Sequence, residues 1–168
     1  ILLTAFGGPD CIESVGPFMC NLMGRVPGPE TVQRAQAKYA SIGGCSPLPE
    51  RTGEVARALE DALRDRGFDV DVRVGMRYWH PAIAESFDRL VESGARRIVQ
   101  CALSPFESGV SSGAYRAAVA DAAERHPRVR VVEAPSFFDA PGFVEALAEG
   151  AAAAIRDDPA TRTRHLVL

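Results

Sequence analysis

The chain has 168 residues, enough for one domain with a substantial core. Hydrophobic residues make up 46% and charged residues 24%, the balance of an ordinary globular protein. A net charge of −3 offers no general attraction for nucleic acid or an anionic membrane. No apolar run nears the roughly 18 residues that a bilayer span needs.

Residues 1–6 form a short, continuously apolar run, the pattern of a strand buried on both faces. Gly7-Gly8-Pro9-Asp10 breaks it. Helical spacing follows over 13–24, then a Pro- and Gly-rich connector, then a second helix over 30–42. Thr52 is placed to cap a third helix reaching about Arg66, with Val55, Leu59 and Leu63 on one face. Val70, Val72 and Val74 predict a strand ending at Gly75-Met76. Pro81 opens a helix carrying Ile83, Phe87 and Leu90, and a strand is expected over 97–103. A helix over 112–125, a strand over 129–132, an Ala-rich helix over 138–155 and a fifth strand over 165–168 complete the pattern. Strands alternating with helices predict a three-layer, doubly wound α/β domain with a parallel sheet.

The chain begins and ends in strand-like runs, the pattern expected of one domain of a longer protein. Its four cysteines are widely spaced with no Cys-x-x-Cys, which predicts no structural zinc site and a reducing, cytoplasmic compartment. His80, His126 and His165 show no paired metal-ligand spacing.

In a parallel sheet, ligands gather at the carboxyl ends of the strands. Three segments fall there. Gly7-Gly8 lacks the spacing of a phosphate loop, and Pro9 removes one of the amides such a loop would use. Arg77-Tyr78-Trp79-His80-Pro81 joins aromatics to a cation, which suits a flat, anionic ligand. The segment from Ser104 to Tyr115 is rich in hydroxyls and glycine, and Gly109-x-Ser111-x-Gly113 matches a nucleophile elbow in letters. That serine-hydrolase reading needs Asp139, Asp157 or Asp158 as acid and His165 as base, yet His165 opens a strand at the wrong end of the sheet. Glu107 reads as an acid or base, a helix-entry residue or a solvated carboxylate.

One further stretch, Lys38 to Leu48, runs a helix into Gly43-Gly44 and Pro47. Its bare reading is a helix end and a loop. The letters Tyr39-x-x-Ile42-Gly43-Gly44-x-Ser46-Pro47, however, resemble a signature of the ferrochelatases, which insert ferrous iron into a porphyrin. Phe6-Gly7-Gly8-Pro9, Gly75-x-Arg77-Tyr78-x-x-Pro81, the Ser/Gly-rich loop to Tyr115 and Phe138-Asp139-x-Pro141-x-Phe143 are similar to further family segments, in the same order. The similarity covers nearly the whole chain.

The resemblance implies the amino-terminal domain, residues 1–168, of a protein with two similar domains and a porphyrin cleft between them. It implies that Phe6, Lys38, Tyr39, Ser46, Arg77, Tyr78 and Tyr115 bind the porphyrin, with Arg25 matched less directly. The substrates would be protoporphyrin or coproporphyrin and ferrous iron, with no permanently bound cofactor and no resident metal. The family's catalytic His comes in a Ser-Ala-His-Ser segment just after the strand that ends at Leu168, and its partner Glu belongs to the second domain. No catalytic residue is therefore expected within this chain, which alone should not turn over. Glu107 replaces a usual aromatic, and Gly113 stands where some members carry a cluster-ligating Cys. The competing reading from another class is a tetrapyrrole-binding module without activity.

Overall fold

The computed structural model describes residues 1–157. In chain order these form β1 (Leu2–Ala5), α1 (Val15–Met23), α2 (Pro29–Ala40), α3 (Leu48–Arg64), β2 (Arg73–Met76) and α4 (Ile83–Glu92). They continue as β3 (Arg97–Ala102), α5 (Ser112–Glu124), β4 (Arg130–Glu133) and α6 (Pro141–Asp157). The four strands pair in parallel in the order β2-β1-β3-β4. β1 is thus central, and its register sets Leu3 against Val74 on one side and Cys101 on the other.

Alternation along β1 divides the core. Leu2 faces α4 and α5, packing with Phe87, Leu90, Ile98 and Val119. Leu3 points to the other face, with Ala56 of α3 and Val72. Helices on both faces of a parallel sheet are the expected doubly wound architecture, and the order β2-β1-β3 puts the switch point at the carboxyl ends of β1 and β3. Residues 1–135 form this compact unit. The stretch from Ser136 forms a second, in which Phe137 meets Phe143 edge-on at 5.5 Å and α6 starts on bonds from Phe143 and Val144 amides to the Ala140 carbonyl.

Two expectations are corrected. α3 starts at Leu48, four residues before Thr52, because Pro47 and Pro49 fit a first helical turn that needs no amide donors. Thr52 lies within the helix and its hydroxyl donates to the Leu48 carbonyl at 2.7 Å. Val55 is exposed, and the small Thr52 and Ala56 are the buried face. The second strand ends at Met76 as expected but starts at Arg73 and not at Val70, since pairing with β1 begins where the Arg73 amide meets the Ile1 carbonyl. The expected fifth strand, 165–168, lies outside the described residues.

Candidate functional site

The β1–β2 ladder continues past both strand ends. The Arg77 amide donates to the Ala5 carbonyl at 2.8 Å, and the Tyr78 amide donates to the Phe6 carbonyl at 3.0 Å. This places the Phe6 and Tyr78 rings side by side, centroids 4.9 Å apart and inclined at 60°. The Arg77 guanidinium lies 5.3 Å from the Tyr78 ring, within range of a cation–π contact. Behind them Phe18 of α1 meets both Phe6 and Trp79 edge-on, and the Asn21 amide holds the Tyr78 carbonyl. Phe6 remains 39% exposed, so the wall keeps an open aromatic surface at the carboxyl end of the sheet.

The turn after α2 leads to the loop that follows β1. Gly43 and Gly44 take φ of +97° and +87°, a region that strains other residues, and the Gly44 amide returns to the Tyr39 carbonyl. The chain then docks on the β1 loop, where the Ser46 amide donates to the Pro9 carbonyl at 2.8 Å. The Ser46 hydroxyl accepts from the Leu48 amide at 3.3 Å, at the head of α3. A β-carbon on Gly8 would stand 2.5 Å from that of Ser46, so only glycine permits the approach. Lys38 is exposed and Tyr39 half-buried on the last turn of α2.

The third loop follows β3. The Leu103 amide bonds to the Thr4 carbonyl, and the Ser104 and Ser111 hydroxyls lie 3.3 Å apart. The Ser112 hydroxyl accepts from the Ser108 amide, closing the loop onto α5. Arg116 fastens it outside, bonded to Glu107 at 3.0 Å and to Glu133 of β4 at 2.6 Å. Tyr115 is 4% exposed, within the core beside Phe87 and Val119. Burial pushes its phenol pKa up, and the neighbouring Tyr78 adds to the rise.

Phe6, Arg77 and Tyr78 are therefore brought together, and Ser46 is stitched to the same β1 loop. Tyr115 lies in the core close enough for its phenol to feel that of Tyr78. Phe18 and Asn21, from α1, complete the wall without having been singled out; their signal was only an apolar helical face next to Gly7-Gly8. Among the described residues no three His, Cys, Asp or Glu side chains group closely enough to hold a metal ion.

Comparison with known proteins decides the family. The ferrochelatase family profile matches residues 1–168. The chain belongs to the ferrochelatase family. It is 36% identical to a ferrochelatase of Synechococcus sp. over 95% of its length, which is 46% of that protein. It is 34% identical to ferrochelatases of Cyanothece sp. and Gloeobacter violaceus over 89% of its length, covering 44% and 52% of those proteins. The chain thus spans about half the length of the curated relatives it matches.

Among the described residues the Ser111 hydroxyl has no histidine partner. The Ser111 hydroxyl faces Ser104, and Glu107 is engaged by Arg116. His126 is bound to Asp88 after the end of α5, at the amino end of the sheet. His80 is 74% exposed, packed on Trp79 and 4.0 Å from Glu85 at the start of α4. The proposed base of the hydrolase, His165, lies outside the described residues.

Proposed function

We propose that this chain is the amino-terminal, porphyrin-holding half of an enzyme that inserts ferrous iron into protoporphyrin or coproporphyrin for heme synthesis, acting in the cytoplasm. The observation that carries the proposal is the Phe6–Tyr78 pair, open to solvent at the end of the sheet and flanked by Arg77. A flat macrocycle needs an apolar wall of this kind together with a few donors for its propionates. Lys38, Tyr39, Ser46 and Arg77 are the donors, Phe6 and Tyr78 the wall, and Tyr115 belongs to the same porphyrin-binding set. Iron enters as substrate, once the ring is bent and its pyrrole nitrogens shed their protons. Binding energy that bends the ring lowers the barrier because it is realised toward the transition state.

A base must take those protons, and an imidazole near its ordinary pKa is suited to the task. His80 turns toward α4 and His126 toward Asp88, so neither serves. We assign the base to the continuation beyond Leu168 and its carboxylate partner to a second domain, which together complete the cleft. The test is ferrous-iron insertion by the full-length protein beside a porphyrin titration. Turnover that falls with Phe6→Ala or Tyr78→Ala supports the reading. Tight porphyrin binding without turnover would replace it with a tetrapyrrole-binding module, and absence of binding would remove both.

A further inference from the structure

The amino end of the sheet concentrates positive charge. The Arg130 amide donates to the Arg96 carbonyl at 2.9 Å, joining the entries to β3 and β4. Arg97 and Arg130 are direct cross-strand partners. Like charges set opposite one another on neighbouring strands are unfavourable. Yet Arg96, Arg97, Arg128 and Arg130 have no carboxylate partner among the described residues. The chain's net charge is −3, so this basicity is local and not a general property of the molecule.

On the α4–α5 side these strand entries open into a pocket of about 280 Å³. Arg96, Arg125, His126 and Arg128 line it, Val91 and Val129 supply apolar wall, and no carboxylate is among its lining residues. Its frame is rigid. Asp88 of α4 accepts from one Arg125 nitrogen with both oxygens at 3.0 Å and meets His126 Nε2 at 2.7 Å, while the His126 ring stacks on Phe87. Arg125 and His126 are thereby fixed by a single carboxylate, leaving the charges of Arg96 and Arg128 unmatched.

We propose that this pocket binds a compact phosphate-type oxyanion, held by the guanidiniums of Arg96 and Arg128 beside Arg125. Guanidinium forks match the geometry of phosphate oxygens. The volume lies at or below the roughly 300 Å³ where pockets for drug-sized ligands begin, which favours phosphate or diphosphate over a nucleotide. The site sits at the opposite end of the strands from the Phe6 and Ser46 loops, so its ligand leaves that surface open.

The experiment is calorimetric titration of the intact full-length protein with inorganic phosphate and with pyrophosphate at low ionic strength, beside sedimentation with phosphatidylglycerol and phosphatidylcholine vesicles. Saturable pyrophosphate binding is expected, weakened about tenfold or more by Arg96→Gln with Arg128→Gln, as loss of charge-assisted bonds requires. Arg51→Gln with Arg57→Gln on α3, which removes an equal charge elsewhere, should leave it unchanged. Arg96→Lys keeps the charge without the fork and should bind more weakly than wild type, which guards against a folding defect in the double variant. Sedimentation with phosphatidylglycerol vesicles alone, lost in the double variant, would place the same oxyanion on a lipid headgroup and uphold the site. No binding to any probe, or equal binding by wild type and double variant, would overturn it.

Discussion

The Ser46 amide is bonded to the Pro9 carbonyl at 2.8 Å, which ties the turn after α2 to the loop after β1. The two lie 37 positions apart in sequence, and the junction closes only because Gly8 has no side chain. Gly8→Ala would drive its methyl into Ser46, and overpacking of this kind costs about 1–3 kcal/mol. Thermal unfolding should show that loss, and porphyrin affinity should fall with it because the turn carrying Tyr39 and Ser46 is displaced. Adding Ser46→Gly should restore part of the stability. An unaltered midpoint for Gly8→Ala would mean that the two loops separate freely.

Tyr39→Phe and Ser46→Ala should behave differently although both remove one hydroxyl. The Ser46 hydroxyl accepts from the Leu48 amide, so its loss removes a bond at the helix head worth about 0.5–1 kcal/mol of stability as well as a propionate donor. Tyr39 has no side-chain hydrogen-bond partner among the described residues and should leave stability nearly unchanged. Each variant should weaken porphyrin binding by about 0.5–1.5 kcal/mol. Paired melting curves and fluorescence titrations separate the two effects, and unchanged titrations for both would withdraw the propionate assignment.

How much of this was legible in sequence depends on the range of the interactions. β1 stood out as an apolar run, and α4 as Ile83, Phe87 and Leu90 on one face, because burial on a local period leaves a local trace. The start of α3 did not, since its proline-led first turn looks like a loop and its buried face is made of Thr52 and Ala56 rather than large residues. The Ile-Gly-Gly-x-Ser-Pro stretch was readable as a ligand segment only through its resemblance to ferrochelatases. That Ser46 also serves as a structural pin follows from its contact with Gly8, which no local pattern encodes. The Phe6–Tyr78 wall depends likewise on the register between β1 and β2.

Phe6 and Tyr78 supply a direct test of that wall. An edge-on aromatic pair contributes about 0.5–1.5 kcal/mol beyond the area it buries. A double-mutant cycle with Phe6→Leu and Tyr78→Leu should therefore return a coupling of that size in the unfolding free energy. Phe6 is already 39% exposed, so Phe6→Leu alone should lower stability only slightly while porphyrin affinity falls clearly. Equal losses of stability and affinity in every variant would indicate a packing role alone.

Asp88 gives the stability of this domain a predictable dependence on acid. Burial opposes its ionisation, but hydrogen bonds from His126 and Arg125 outweigh that cost, and the carboxyl lies below its ordinary pKa. A group depressed in the folded state contributes stability above its unfolded value, near pH 4 for aspartate, and loses it as the pH falls through the folded value. The side chain is 37% exposed and its Arg125 partner 50%, so solvent screening keeps the contribution to about 1 kcal/mol or less. Asp88→Asn should thus be slightly less stable than wild type in urea at pH 7. The gap should shrink steadily as the pH is lowered from about 4. A gap that stays constant down to acid unfolding would show that the Asp88 network acts through packing of α4 against α5 and not through its charge.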